Sequence, residues 1–157
     1  MSKHAVFWIR DDFRIKNNPA LSYATNNHEF VSAIYIYNNL KFDQKREAQK
    51  WWISKSLKEF GKDLQKFNIN LEIFNTEEIK FFLKIKKEKN LSVYWNKIYE
   101  PEELEIDKKL ISFFEKEKIN FKFFKGNVLN EFNKVNKNDG TPFKVYSPFW
   151  KNAERIY

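Results

Sequence analysis

The chain has 157 residues, about one domain's worth, and 42% of them are hydrophobic, which is enough to bury a core. It contains no cysteine and two histidines, so disulfides, thiolate metal sites and catalytic triads are not expected. The net charge of +8 comes mostly from lysine, and we interpret it as a general lysine bias rather than as a nucleic-acid surface, which is the less favoured alternative.

Short apolar runs alternate with longer amphipathic segments along most of the chain. None of these runs is long enough to span a membrane, and the N-terminus lacks the apolar core of a signal peptide, so we expect a cytoplasmic protein. The pattern predicts strands at 5–9, 30–37, 71–74, 91–96 and 120–124, and helices at 19–25, 43–67, 77–89 and 102–118. Beyond these segments the periodicity fades.

The longest predicted helix, 43–67, starts at Asp43 as its N-cap. Apolar residues recur along it at roughly helical spacing, namely Ala48, Trp52, Leu57, Phe60 and Leu64. We expect most of the five tryptophans of the chain to lie in the core.

Five strands separated by helices imply right-handed crossovers and a mostly parallel sheet. The predicted fold class is therefore α/β, with a doubly wound, Rossmann-like sheet of five strands and helices on both faces. No linker divides it, so residues 1–157 are expected to form one domain. Such sheets bind ligands at the carboxyl ends of their strands, beside the first strand.

The first strand is followed directly by RDDFR, which carries Arg10, Asp12 and Arg14. No glycine follows this strand, so neither a Rossmann dinucleotide site nor a P-loop is expected. Arg10, Arg14 and Arg46 lie just after predicted strands or at a helix start, where a planar guanidinium would orient an anionic or planar partner. The alternative is that these arginines form structural salt bridges to Asp11 or Asp12.

A second cluster, YWNKIYEPEELEIDKKL, follows the fourth predicted strand. It places Asn96 at the strand exit, and Glu102 and Glu103 at the start of a helix. Carboxylates here can accept hydrogen bonds from the amide and amino groups of a pterin or flavin. The alternative is a favourable interaction with the helix dipole. Because no second catalytic partner is evident, no catalytic residue and no metal site are predicted.

The motifs together resemble those of the DNA photolyases and cryptochromes. FWIRDDFRIKNNPAL is similar to the N-terminal signature of that family, and KREAQKWWISKSLKEFGKDL to its long second helix with an early Arg. VYWNKIYEPEELEID looks like the motif around its fourth strand, and GTPFKVYSPFWKN like its closing motif. The four motifs occur in order and cover essentially the whole chain.

The resemblance implies that residues 1–157 are the N-terminal α/β antenna domain of a deoxyribodipyrimidine photolyase. In that family this domain holds a light-harvesting chromophore, while FAD, damaged DNA and the repair of pyrimidine dimers belong to a larger C-terminal helical domain. That domain is absent from this chain, so the chain alone is not expected to be repair-competent. Its implied partners are the chromophore, the FAD domain and, through the full-length protein, damaged DNA.

The resemblance also bears on the chromophore and its contacts. In folate-using members an Asn-Glu pair contacts methenyltetrahydrofolate, and Glu102 and Glu103 lie at those positions; Glu103 matches and Glu102 departs. Deazaflavin-using members carry an acid where this chain has Ile98, so deazaflavin or flavin is the less favoured expectation. The predicted chromophore-binding residues are Arg10, Asp12, Arg46, Asn96, Glu102 and Glu103. A cryptochrome photoreceptor and a stand-alone binding module of the same fold remain the alternatives.

Overall fold

The structure is a computed structural model that describes residues 4–38, 45–86, 91–131 and 134–156. The chain divides into two compact units, one that runs to Gly126 and one that starts at Asn127. The first unit contains β1 (His4–Ile9), α1 (Pro19–Asn27), β2 (Phe30–Tyr37), α2 (Glu47–Gln65), β3 (Leu71–Asn75), α3 (Glu78–Ile85), β4 (Ser92–Asn96), α4 (Pro101–Lys116) and β5 (Asn120–Phe124). The second unit contains α5 (Tyr146–Ile156).

The five strands pair in parallel and in the order β3-β2-β1-β4-β5. The chain therefore builds outward from β1 to β3 on one side and then returns to add β4 and β5 on the other. The predicted doubly wound α/β fold is confirmed. The strand order reverses between β1 and β4, which makes their carboxyl ends the usual ligand-binding edge of such a sheet.

Helices cover both faces of the sheet. Phe7 and Ile9 of β1 pack on one face with α1 and α2, while Val6 and Trp8 pack on the other with α3 and α4. Because β1 is buried on both sides, it reads as an unbroken apolar run rather than an alternating one. Among the described residues, no helix is both long enough and apolar enough to traverse a lipid bilayer.

The long helix α2 differs from its prediction. Its predicted N-cap, Asp43, lies outside the described residues, and the helix as described begins at Glu47. Trp51 and Trp52 are 64% and 55% exposed and Trp150 is exposed as well, so the expectation that most of the tryptophans lie in the core is wrong. Ala48 is exposed as well. The face turned to the sheet is formed instead by Ile53, Leu57, Phe60 and Leu64, whose spacing keeps them on one helical stripe.

The second unit contains a helix that the sequence pattern did not indicate. α5 starts at Tyr146, within the segment where the periodicity fades and no helix was predicted. Pro148 lies in its first turn, where the backbone N–H has no intrahelical acceptor, and is therefore compatible with the helix. The rings of Tyr146 and Trp150, one turn apart, stack at 6.3 Å and are exposed.

Candidate functional site

A hollow of about 100 Å³ opens at the carboxyl edge of the sheet, where β1, β2 and β4 end. The first turns of α3 and α4 contribute carboxylates to its wall. The lining residues that matter for its chemistry are Trp8, Arg10, Tyr35, Tyr37, Glu78 and Glu103. We call this feature the edge hollow, and it lies where a doubly wound sheet binds its ligands.

Arg10 forms the base of the edge hollow. It follows β1 directly and is only 7% exposed. Its Nη1 donates to Oδ1 of Asp107 at 2.5 Å, and its Nη2 donates to the carboxylate of Glu103. The guanidinium also lies over the ring of Trp8, 4.7 Å from the centroid. Two carboxylates one turn apart on α4 thus share one buried cation just after β1.

From the sequence, the alternative role for the arginines is a structural salt bridge to a nearby aspartate. The structure gives a different result for each arginine. Arg10 pairs with Glu103 and Asp107 on α4, whereas Asp11 and Asp12 were the partners considered from sequence. Arg14 does pair locally, with its Nε donating to Oδ1 of Asp12 at 2.7 Å. The local pair is half exposed at the arginine, while the Arg10 cluster is buried.

Asp107 lies behind Arg10 and is 4% exposed. Burial raises the pKa of its carboxyl, and the Arg10 guanidinium and the indole of Trp95 oppose that rise. Its Oδ2 and the Nε1 of Trp95 are buried, and neither meets hydrogen-bond geometry with a partner among the described residues. The indole therefore makes at most a long or bent contact with the carboxylate.

Asn96 is predicted as a chromophore contact, and the structure places it inside a buried polar network. Its Oδ1 accepts from the backbone N–H of Ala20 at 3.1 Å, and its Nδ2 donates to Oδ1 of Asn18 at 2.8 Å and to Oδ2 of Asp12 at 3.2 Å. Asn18 in turn caps α1 by accepting from the backbone N–H of Leu21. Asn96 thus ties the end of β4 to the start of α1.

The remaining residues that the sequence predicts as chromophore contacts lie in different places relative to the edge hollow. Asp12 is half-buried between Arg14 and Asn96. Arg46 is exposed just before α2, where its backbone N–H donates to Oε1 of Gln49. Glu102 is exposed on the first turn of α4. Of the six predicted residues, Arg10 and Glu103 are the two that line the edge hollow.

Asp107 was missed by the sequence reasoning, although a signal was present. It precedes Leu110 and Phe114 at helical spacing and so lies on the buried stripe of α4. An acid within an apolar stripe implies a buried cation opposite it. The identity of that cation, Arg10, is not indicated by the sequence.

Tyr35 lines the edge hollow from β2 and is 7% exposed. Burial raises its pKa to about 12, and the charges of Asp11 and Glu103 add to the rise. Neutral Tyr35 is therefore the form that the folded protein holds throughout the ordinary pH range.

We expect the raised pKa of Tyr35 to reduce stability at high pH. The folded-state value exceeds the ordinary value of 10.0, so its contribution is complete below pH 10 and is lost as the pH rises through about 12. The loss should amount to roughly 3 kcal/mol. Tyrosinate absorbance should show a late ionisation that Tyr35→Phe removes. Ionisation of every tyrosine near the ordinary value would contradict this prediction.

Comparisons with known proteins agree with the fold described above. The DNA photolyase family model matches residues 5–157. A deoxyribodipyrimidine photo-lyase of Agrobacterium fabrum is 27% identical over 150 residues, covering 95% of this chain and 31% of the relative. Cryptochrome-2 of Arabidopsis thaliana is 26% identical over 157 residues, covering 98% of this chain and 26% of the relative.

Solved structures show the same fold. A bacterial class III photolyase from Agrobacterium tumefaciens aligns with a TM-score of 0.85 at 26% identity, over 98% of this chain and 32% of that one. A cryptochrome of Synechocystis aligns with a TM-score of 0.80 at 20% identity, over 97% and 33%, and shows the fold alone. An archaeal photolyase from Sulfolobus tokodaii, solved with two FAD molecules, aligns with a TM-score of 0.74 at 19% identity, over 98% and 35%. The chain spans about a third or less of the length of the relatives it matches.

Proposed function

The chain belongs to the DNA photolyase family, and on that premise we propose that residues 1–157 are an antenna domain, which binds a light-harvesting chromophore. In this proposal a longer protein continues into a helical domain that holds FAD and carries out light-driven repair of pyrimidine dimers. Contact with damaged DNA is made through that full-length protein. The match to about a third of the length of longer relatives supports this division.

The observation that carries the proposal is the edge hollow itself. It lies at the carboxyl edge of the sheet, and its lining includes the half-buried carboxylate of Glu103 and three aromatic residues, Trp8, Tyr35 and the half-buried Tyr37. Aromatic walls suit a planar heterocycle, and a carboxylate suits its N–H groups. At about 100 Å³ the hollow can hold only part of a chromophore, so the remainder would lie across its rim.

The chromophore we propose is methenyltetrahydrofolate. Its pterin ring carries amide and amino N–H groups, from which the Glu103 carboxylate can accept hydrogen bonds. FMN and FAD carry phosphates, and no glycine cradle for phosphate follows β1. The hollow also presents the apolar Ile98 at the position where the deazaflavin pattern carries an acid. A second flavin, as suggested by the two FAD molecules of the Sulfolobus structure, is the competing outcome of the test.

The six predicted residues have different places in this proposal. Arg10 and Glu103 form the site, and Asn96 and Asp12 hold the loop after β1 beside it. Arg46 and Glu102 are exposed and stay predictions for chromophore contact from the rim.

Replacing Glu103 with glutamine should weaken binding of methenyltetrahydrofolate about tenfold, because a charge-assisted hydrogen bond is exchanged for a neutral one. The measurement is a titration of the purified chain, followed by the shifted absorption of the bound chromophore. Glu105→Gln is the matched control, since it removes an exposed carboxylate of the same helix that does not line the edge hollow. Equal losses in the two variants would contradict a specific role for Glu103.

The proposed function as a whole fails if the chain binds none of the folate, deazaflavin and flavin chromophores. Binding of a flavin in preference to the folate would leave the antenna role and reject the folate.

A cryptochrome photoreceptor is the second candidate, supported by the nearly equal identities to the photo-lyase and to cryptochrome-2, 27% and 26%. The two differ in what the full-length protein does, because a photolyase repairs dimers and a cryptochrome signals through partner proteins. A light-dependent dimer-repair assay on the full-length protein separates them. A gene that encodes no further domain would favour a stand-alone binding module.

A further inference from the structure

The charges around the edge hollow are unbalanced. Among the described residues, its lining carries the cations Arg10 and Lys45 and the carboxylates Asp11, Glu78 and Glu103. Asp107 adds a fourth carboxylate directly behind Arg10. Within the part of the chain that the structure describes, these groups therefore give the hollow a negative balance, although the whole chain has a net charge of +8.

The imbalance is larger among the groups that water screens least. Lys45 and Asp11 are exposed, so their fields are weakened by solvent. The buried or half-buried charges are Arg10 against Glu78, Glu103 and Asp107, which leaves one cation facing three carboxylates. Tyr35 adds no charge, because burial raises its pKa to about 12.

Resting on the proposed function, we propose that the edge hollow selects the positively charged form of its folate, with Asp107 supplying part of that selectivity through Arg10. The methenyl bridge of the folate is a cation, whereas the one-carbon group of a formyltetrahydrofolate is uncharged. Both compounds carry the same anionic tail, so the tail cancels in their comparison. Asp107 is a positioning residue here, since Arg10 stands between it and the hollow.

The position of Asp107 behind Arg10 explains how it can influence which folate binds without lining the hollow itself. Arg10 alone would present a cation to the ligand and repel the methenyl bridge. Asp107 neutralises that guanidinium from behind at 2.5 Å, so that the charges of Glu103 and Glu78 dominate towards the ligand. Removing the charge of Asp107 should therefore weaken the cationic ligand more than the neutral one.

The test compares the dissociation constants of methenyltetrahydrofolate and a formyltetrahydrofolate for the wild-type chain and for Asp107→Asn. We expect the wild type to prefer the methenyl form and the variant to lose about fivefold of that preference. Glu105→Gln is the matched control, because Glu105 lies on the same helix in an exposed pair with Lys108. It should leave the preference unchanged.

Each other outcome has a defined meaning. If Asp107→Asn folds and weakens both folates equally, or changes neither, charge selection through Asp107 is wrong. If Asp107→Asn does not fold, Glu78→Gln replaces it, since it removes a lining carboxylate outside the Arg10 cluster; an unchanged preference then overturns the inference. If the wild type binds both folates equally, the antenna proposal stands and this inference fails. If it binds neither, both fail.

Discussion

Replacing Arg10 with methionine should lower the free energy of unfolding by about 3–5 kcal/mol, because Asp107 and Glu103 would be left without their shared cation. Urea denaturation measures this change. Arg14→Met is the matched control, since the Arg14–Asp12 pair is half exposed at the arginine and should contribute less than about 1 kcal/mol. Similar losses in the two variants would contradict the importance of burial.

A double variant sharpens the Arg10 prediction. Arg10→Met combined with Asp107→Leu removes the cation and its most buried partner together, so much of the lost stability should return. Losses that simply add would show that the two residues do not act as one ionic cluster.

Replacing Asn96 with leucine should cost about 3 kcal/mol, because it removes three hydrogen bonds and leaves the buried backbone N–H of Ala20 without its acceptor. Thermal or urea unfolding measures the loss. Asn75→Leu is the control, since Asn75 also ends a strand but is exposed and should change stability by less than about 0.5 kcal/mol. A small effect of Asn96→Leu would show that the network does not stabilise the fold.

The two predictions separate the structural and binding roles of the carboxyl edge. Asn96 uses both amide hydrogens and its oxygen within the protein, so its loss should act first on the position of the loop after β1. Arg10 belongs to both roles, because it carries the buried ion pairs and lines the edge hollow. Its substitution should therefore reduce chromophore binding as well as stability, whereas Glu103→Gln should act mainly on binding.

The sequence by itself determined the strands and the winding of the sheet. Apolar runs such as the one ending at Ile9 must be buried on both faces, and helices between parallel strands must cross over with one hand. It also determined the capping of α1, since Asn18 followed by Pro19 satisfies the helix start locally. These features depend on neighbours in sequence, which is why pattern and propensity sufficed.

Only the tertiary structure decided which charged groups meet. Arg10 and Asp107 are 97 residues apart in the chain, and the sheet order that brings β1 beside β4 places α4 over the end of β1. The exposure of Trp51 and Trp52 was likewise decided by which face of α2 meets the sheet. The helix carries more than one row of apolar residues, and the sequence pattern does not say which row is buried. The partner of a charged residue and the burial of an aromatic residue depend on which residues lie beside them in the folded protein. The local sequence pattern carries no information about neighbours that are distant in the chain.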